Sequence, residues 1–237
     1  MNRVGIELRA VELAYGPIPA IRPLSGAFAT GAITAVVGAN GSGKSSLLKV
    51  LAGEIPPSGG EFRLNGAGPT AYLAQDGGVD RNFPIVLGDF VGLGFNGRRG
   101  LFAGLDRSDR SALAEALGRV GLSGLERRPI AALSGGQFQR ALFARIMVQD
   151  APTILLDEPF AALDAATAAE LSVLVADWAR GGRTVIMVLH DLAMARAVSA
   201  EALVLAEGRS IAWGPTAVVL TPINIERARL SAESLTL

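Results

Sequence analysis

The chain has 237 residues, room for one large α/β domain with an inserted lobe but not for two full-sized globular domains. Its 22 basic and 22 acidic residues cancel, so no whole-molecule field draws it to nucleic acid or to an anionic membrane surface. Cysteine is absent, which excludes disulfides and thiolate metal sites, and no signal-peptide pattern precedes Glu7 and Arg9, so a cytoplasmic chain is expected.

Half of the residues are hydrophobic, yet every apolar run is broken by charge or glycine before the ~20 residues of a membrane helix. That excess fits buried parallel strands or a surface that docks on something apolar. At the N-terminal end, ELRAVELAY (7–15), EFRLNG (61–66) and AYLAQ (71–75) predict short antiparallel strands. Between the first two, ITAVV (33–37) is a continuous β-branched run, as expected of a strand buried on both faces.

GANGSGKSS (38–46) follows it, and the apolar run LLKVLAG begins a helix directly afterwards. Gly38, Gly43, Lys44 and Ser45 fill the pattern G-x-x-x-x-G-K-[ST] in its strand–loop–helix setting. The chemistry needs a tight loop whose N–H groups turn inward on a triphosphate, with a helix dipole behind it. Gly38, Ala39, Asn40, Gly41, Ser42, Gly43, Lys44, Ser45 and Ser46 are therefore the expected phosphate cradle, with Gly41 and Gly43 where the loop is tightest. Lys44 would neutralise the β and γ phosphates, and Ser45 would give an oxygen to Mg²⁺. Lys44 and Lys49 are the only lysines in an arginine-rich chain, which makes an ammonium at this point conspicuous.

Residues 76–133 are dotted with glycine and arginine and lack a buried strand, while Leu113, Leu117 and Val120 keep a helical spacing. This stretch reads as a helical lobe inserted into the α/β core, with arginines and acids nearly balanced. LSGGQ (133–137) then opens a helix in which Phe138, Leu142 and Ile146 recur every four residues. Ser134, Gly135 and Gly136 at a helix start form a second anion-binding device, redundant unless two chains share each nucleotide; an ordinary serine cap is the competing reading.

TILLDEP (153–159) ends a buried strand on two carboxylates, at the strand end where parallel sheets bind ligands. Asp157 would hold Mg²⁺ directly or through water, and Glu158 would act as general base toward the attacking water. Leu171, Leu174, Val175 and Trp178 predict the next helix, opened by Asp164 and stopped by Gly181-Gly182. TVIMVL (184–189) and ALVLA (202–206) complete the set of buried strands, and the chain's only histidine, His190, follows the first of them at the edge that carries Glu158.

These motifs in this order resemble the ATP-binding cassette (ABC) ATPases from about Val11 to Leu220. The resemblance implies a P-loop NTPase, RecA-like α/β core with a small antiparallel β subdomain and an inserted α-helical subdomain. In those terms residues 1–75 and 134–237 form the nucleotide-binding core of a single domain and 76–133 the lobe. Tyr15 resembles the aromatic that stacks on adenine, Gln75 the Q-loop glutamine that reaches the Mg²⁺ ion, and His190 the switch histidine. Ala162-Leu163-Asp164 resembles the D-loop, although Ala161 stands where many relatives carry serine. By the same resemblance, the working unit is a head-to-tail homodimer in which Ser134, Gly135, Gly136 and Gln137 of one chain meet the ATP held by Lys44 of the other, with Asp164 also at the shared site.

The segment VDRNFPIVLGDFVGLG (79–94), notably Phe83-Pro84-Ile85, Asp89, Val91 and Gly94, is similar to the corresponding stretch of zinc and manganese importer ATPases, as is the tail WGPTAVVLTPINI. This implies a subunit seated by a separate membrane permease on the inner face of the cell membrane, served by a secreted metal-binding protein, with zinc as first cargo and manganese or chelated iron as alternatives. With no cysteine and one histidine, the transported metal is expected to bind elsewhere in the assembly. The rivals are a non-transport ABC ATPase of DNA repair or ribosomes, against which stand the missing coiled coils, second cassette and basic stripe, and a regulatory subunit that binds ATP without hydrolysis, which would not require Glu158.

Overall fold

A computed structural model describes residues 3–66, 68–75, 78–99, 104–161 and 163–233. The chain opens with two long strands, β1 (Val4–Tyr15) and β2 (Ile18–Ala29), followed by β3 (Ile33–Val37), α1 (Lys44–Leu51), β4 (Gly59–Leu64) and β5 (Thr70–Leu73). Helical elements come next: α2 (Leu87–Gly92), a 3-10 turn at Leu93–Phe95, α3 (Asn96–Arg99), α4 (Arg107–Arg119), a second 3-10 turn at Ile130–Ala132 and α5 (Gly135–Gln149). The remainder alternates as β6 (Thr153–Asp157), α6 (Ala165–Arg180), β7 (Thr184–Val188), α7 (Leu192–Val198), β8 (Glu201–Ala206), β9 (Arg209–Pro215), α8 (Thr216–Val219) and α9 (Pro222–Glu233).

Six strands form one sheet in the order β5-β6-β7-β3-β8-β9, parallel except for the antiparallel edge strand β9. The central strands β3, β6 and β7 are buried at every position, because helices or a second sheet cover both faces. Alternate side chains then feed two separate cores. Ala35, Ile154, Leu156, Val185, Met187 and Val204 join the face covered by α2, α4, α5 and α6. Val36, Leu155, Ile186, Val188 and Leu203 join the opposite face, where Leu47, Leu48, Val50 and Leu51 of α1 lie between this sheet and Ile6, Leu8, Leu13 and Phe28 of the N-terminal strands.

The N-terminal strands make a three-stranded antiparallel sheet in the order β2-β1-β4. Register breaks on both sides of Ala10, whose φ of 48° marks a bulge, and this gives β1 the extra twist it needs to wrap α1. AYLAQ does not belong to this sheet as expected. Its strand, β5, pairs in parallel with β6 at the edge of the larger sheet. Its half-buried alternation is that of an edge strand with one covered face, a pattern that sequence alone cannot tell from an antiparallel strand.

Four of the helices begin where a short side chain accepts a backbone N–H: Asp106 for α4, Ser134 for α5, Asp164 for α6 and Asp191 for α7. Among the described residues, the helical segment after β5 has no core separate from that of the sheet. Leu87, Phe90 and Val91 of α2 and Leu117 of α4 share one cluster with the sheet, through α5. On α5, Phe138 stacks on Phe90 at 5.8 Å, while Phe143 lies between Phe160 and Trp178 at 6.2 and 5.8 Å. α5 is thus the common wall between the lobe and the sheet. Phe143→Ala should lower the unfolding free energy by about 3–5 kcal/mol, read by urea denaturation, because a fully buried ring between two others leaves a cavity that cannot collapse. A loss under about 1 kcal/mol would contradict this packing.

Candidate functional site

Three strands that lie side by side, β6, β7 and β3, end at the same edge of the sheet, and their following residues meet there. From β3 comes the loop 38–43 with Lys44 at the head of α1; from β6 come Asp157 and Glu158; beyond β7 comes His190. The site is a product of strand order, since none of these segments is close to another in sequence.

The loop requires glycine for two different reasons. Gly43 has φ 100° and an added Cβ would overlap the Ala20 carbonyl, whereas Gly38 lies so close to the Leu205 carbonyl that no side chain fits. The turn between β8 and β9 braces the loop from behind, with Gly208 N–H donating to the Ser42 carbonyl at 3.0 Å. Lys44 is buried, and its ammonium donates to the carbonyls of Gly38 at 3.0 Å and Ala39 at 2.9 Å. Burial pushes the Lys44 pKa below its usual value, and the nearby carboxylates of Glu158 and Asp157 oppose that shift.

Asp157 is in the mirror-image position. Burial pushes its carboxyl above the usual aspartate range, against a hydrogen bond from Ser45, which holds it down, and the charges of Lys44 and Lys49; Glu158 adds to the rise. Its Oδ1 is buried with no hydrogen-bond partner among the described residues. An unpaired carboxylate oxygen beside a serine hydroxyl is a hard-oxygen donor set, suited to a magnesium-like cation.

Glu158 has φ 51°, a left-handed conformation uncommon for a residue with a side chain and further disfavoured before Pro159. Its N–H donates to the Val188 carbonyl at 3.2 Å, and one carboxylate oxygen lies 2.5 Å from His190 Nε2. The two side chains differ in exposure, 13% for Glu158 and 46% for His190. The carboxylate is therefore sheltered on the sheet side while the imidazole faces outward.

Tyr15, Lys44, Ser45, Gln75, Glu158 and His190 all line one cleft of about 720 Å³, together with Asn40, Gly41, Gly43 and Ser46 of the loop. Tyr15 is half exposed at the rim, its hydroxyl 3.5 Å from Ser46 Oγ. Ile18, 68% exposed at the start of β2, also lines the cleft and was not singled out in the sequence; its signal was an isoleucine held outward between Pro17 and Pro19. Such an apolar rim beside a tyrosine suits one face of a purine ring.

Ser134, Gly135, Gly136, Gln137 and Asp164 lie outside this cleft. Ser134 accepts from Gln137 N–H at 3.2 Å and its own N–H donates to Gln137 Oε1 at 3.1 Å, a reciprocal cap that presents the two glycines on an open surface. Asp164 caps α6 by accepting from the N–H and hydroxyl of Thr167, and those bonds hold its carboxyl below the usual range. Ala162 lies outside the described residues. Sequence reading also missed Arg81, whose guanidinium donates to the Leu133 carbonyl at 2.5 Å and covers the Phe138 ring at 4.9 Å, tying the segment after Gln75 to the start of α5. It missed Gln139 as well, whose amide donates to the Pro159 carbonyl at 2.7 Å.

Residues 21–161 match the family model described as ABC transporter. The chain is similar to the manganese transport system ATP-binding protein MntB of Bacillus subtilis (strain 168), 36% identical over 94% of this chain and 91% of that protein. It is also similar to the zinc transport system ATP-binding protein TroB of Treponema pallidum (strain Nichols), at 34% over 94% and 86%, and to the hemin import ATP-binding protein HmuV of Streptomyces coelicolor (strain ATCC BAA-471 / A3(2) / M145), at 38% over 80% and 70%. Among solved structures, an inward-facing conformation of a transporter described as metal-chelate type superposes with TM-score 0.84 and 28% identity, covering 97% of this chain and 88% of that one. A dimeric bacterial ABC transporter cassette, MJ0796, shares the fold at TM-score 0.78 and 22% identity, over 89% and 98%.

The raised Asp157 carboxyl has a consequence for stability. A group whose folded pKa exceeds its unfolded one contributes stability that is complete below the unfolded value and lost as pH rises through the folded value. Asp157→Asn keeps the shape and removes the ionisation, so without nucleotide its Tm should exceed the parent's at about pH 8, the gap closing toward about pH 4. A parent more stable than the substituted chain at the higher pH would contradict the assigned direction.

Proposed function

The chain belongs to the ABC transporter ATPase family, and from that premise we propose that it is the ATP-binding and hydrolysing subunit of an importer, energising uptake of a divalent metal ion or metal chelate through a separate permease. The observation that carries the hydrolytic reading is the meeting of Lys44, Ser45, Gln75, Glu158 and His190 in one cleft, with Asp157 buried beside Ser45.

In this reading the amides of loop 38–46 receive the phosphate oxygens, and Tyr15 and Ile18 hold the base at the rim. Lys44 exchanges its two loop carbonyls for the β and γ phosphates, partners of opposite charge that better repay its burial. Ser45, Asp157 and Gln75 would hold Mg²⁺, which when bound neutralises charge on the phosphate oxygens. Glu158 takes the proton of the attacking water, and His190 keeps the carboxylate in place from 2.5 Å.

The open glycines of Ser134–Gln137 lie outside their own chain's cleft, so they are free to cap a nucleotide held by a second copy. The proposed unit is a head-to-tail homodimer with two shared sites, in which Asp164 also lies near the seam. Among the described residues no helix is long and apolar enough to cross a membrane. In the proposed assembly the permease makes the crossing and seats this chain at the cytoplasmic face, with Phe83, 59% exposed beyond Gln75, on the contact surface, and a secreted protein delivers the cargo.

The cargo reading rests on segment 79–94 and on the relatives. The manganese and zinc relatives match the same share of this chain at 36% and 34% identity, which does not put zinc ahead of manganese. Cargo-stimulated ATP turnover by the chain reconstituted with its permease, comparing manganese, zinc and hemin, discriminates between them.

Glu158→Gln should keep ATP binding and lower turnover by about a hundredfold or more. Parental turnover in that variant would remove Glu158 from the mechanism. Lys44→Ala and Ser134→Ala should each impair hydrolysis, and mixing the two chains should restore part of it, because one of the two sites in the mixed dimer retains both residues. A mixture that forms heterodimers yet shows no recovery would end the shared-site reading.

A further inference from the structure

Pro159 follows Glu158, and its carbonyl points at the side of α5 rather than back into the sheet. There Gln139 donates its amide at 2.7 Å, a part-buried contact between residues far apart in sequence. Gln139 lies three and four residues beyond Gly136 and Gly135, so all three share one face of α5. One turn further along the same helix, Phe143 stacks on Phe160 at 6.2 Å. The turn that carries Glu158 is therefore held against α5 at two consecutive points.

The holding matters because of the backbone at Glu158. A left-handed residue followed by proline does not persist unless its surroundings fix it. On the sheet side it is fixed by Glu158 N–H to Val188 O at 3.2 Å, and within the turn by Ala161 N–H to Glu158 O at 3.1 Å. Neither bond grips the peptide group that follows Pro159. The Gln139 amide does, and it comes from the helix whose first turn carries Ser134 and Gly135.

We propose that Gln139 is a positioning residue for hydrolysis: by gripping the Pro159 carbonyl it keeps the Glu158 carboxylate aimed into the nucleotide cleft, and it ties that aim to the placement of α5. The inference rests on the reading of Glu158 as the general base. A buried carbonyl also needs a donor for stability alone. That purely structural role would lower the melting temperature without separating kcat from KM.

The test uses the full chain in steady-state ATP hydrolysis. Gln139→Met keeps the side-chain length and removes the donor; Gln139→Lys returns an N–H donor at similar reach. Gln139→Met should lower kcat about three- to tenfold, the effect of one lost hydrogen bond, with KM for ATP within about twofold of the parent. Gln139→Lys should recover about half of the lost kcat or more. In a Glu158→Gln background the Gln139→Met change should add no further loss, since the group it positions is already disabled. Should Gln139→Met prove unfolded by its thermal transition, Gln139→Ala takes its place in each comparison.

Parental kcat in the donor-less variant, a loss carried by KM, or no recovery with lysine would each overturn the proposal. Two failures remain distinguishable. If Glu158→Gln itself turns over like the parent, the general-base reading falls; if Glu158→Gln is inactive while Gln139→Met is parental, only the positioning role falls.

Discussion

Lys44 and Asp157 would each be unfavourable alone at the edge of an apolar sheet, and the site depends on their opposite charges being buried at that same edge. Burial works against both charged forms, lowering the lysine pKa and raising that of the aspartate, and each appears among the charges that oppose the other's shift. Most of the architecture serves to bring them together. β3 and β6 are separated by β7 alone, and all three are too apolar to sit anywhere but the middle of a covered sheet. The charged loop ends are then carried to one edge by the packing of side chains that take no part in the chemistry.

The same packing gives α5 its double attachment. Its aromatic side chains bind the helical lobe through Phe90 and the sheet layer through Phe160 and Trp178, while its capped start stays on the surface. A rigid element of this kind can transmit displacement between the two ends it joins, because buried rings repack in steps rather than by continuous deformation. The contacts of Arg81 at the head of α5 and of Gln139 one turn further on place the segment after Gln75 and the turn of Glu158 on the same helix.

Much of this was legible in the sequence because the relevant signals are local. Strands buried on both faces show as unbroken β-branched runs, the phosphate loop has a fixed spacing, and Asp164 and Ser134 announce helix starts at the residues that cap them. What escaped was set by pairing rather than by composition. The parallel partner of β5 depends on β6, far downstream, and the bulge at Ala10 follows from wrapping β1 around α1. Gln139 was hidden for a related reason: a glutamine within a helical pattern reads as solvated, and only the tertiary fold supplies the Pro159 carbonyl. Within the site, Tyr15, Gln75 and His190, which the sequence singled out, line the same cleft as Ile18, which had no motif to mark it.

The two tryptophans fall one to each core. Trp178 is buried beside Phe143 among the helices, and Trp213 lies against Phe28, 4.7 Å between ring centroids, at the seam where the N-terminal sheet meets the larger one. With no third indole in the chain, the molecule carries a matched pair of intrinsic optical probes, each reporting on one side of the central sheet. Emission from the two could be resolved by replacing either ring in turn, so that melting of the lobe side and of the N-terminal side can be followed separately without any attached dye.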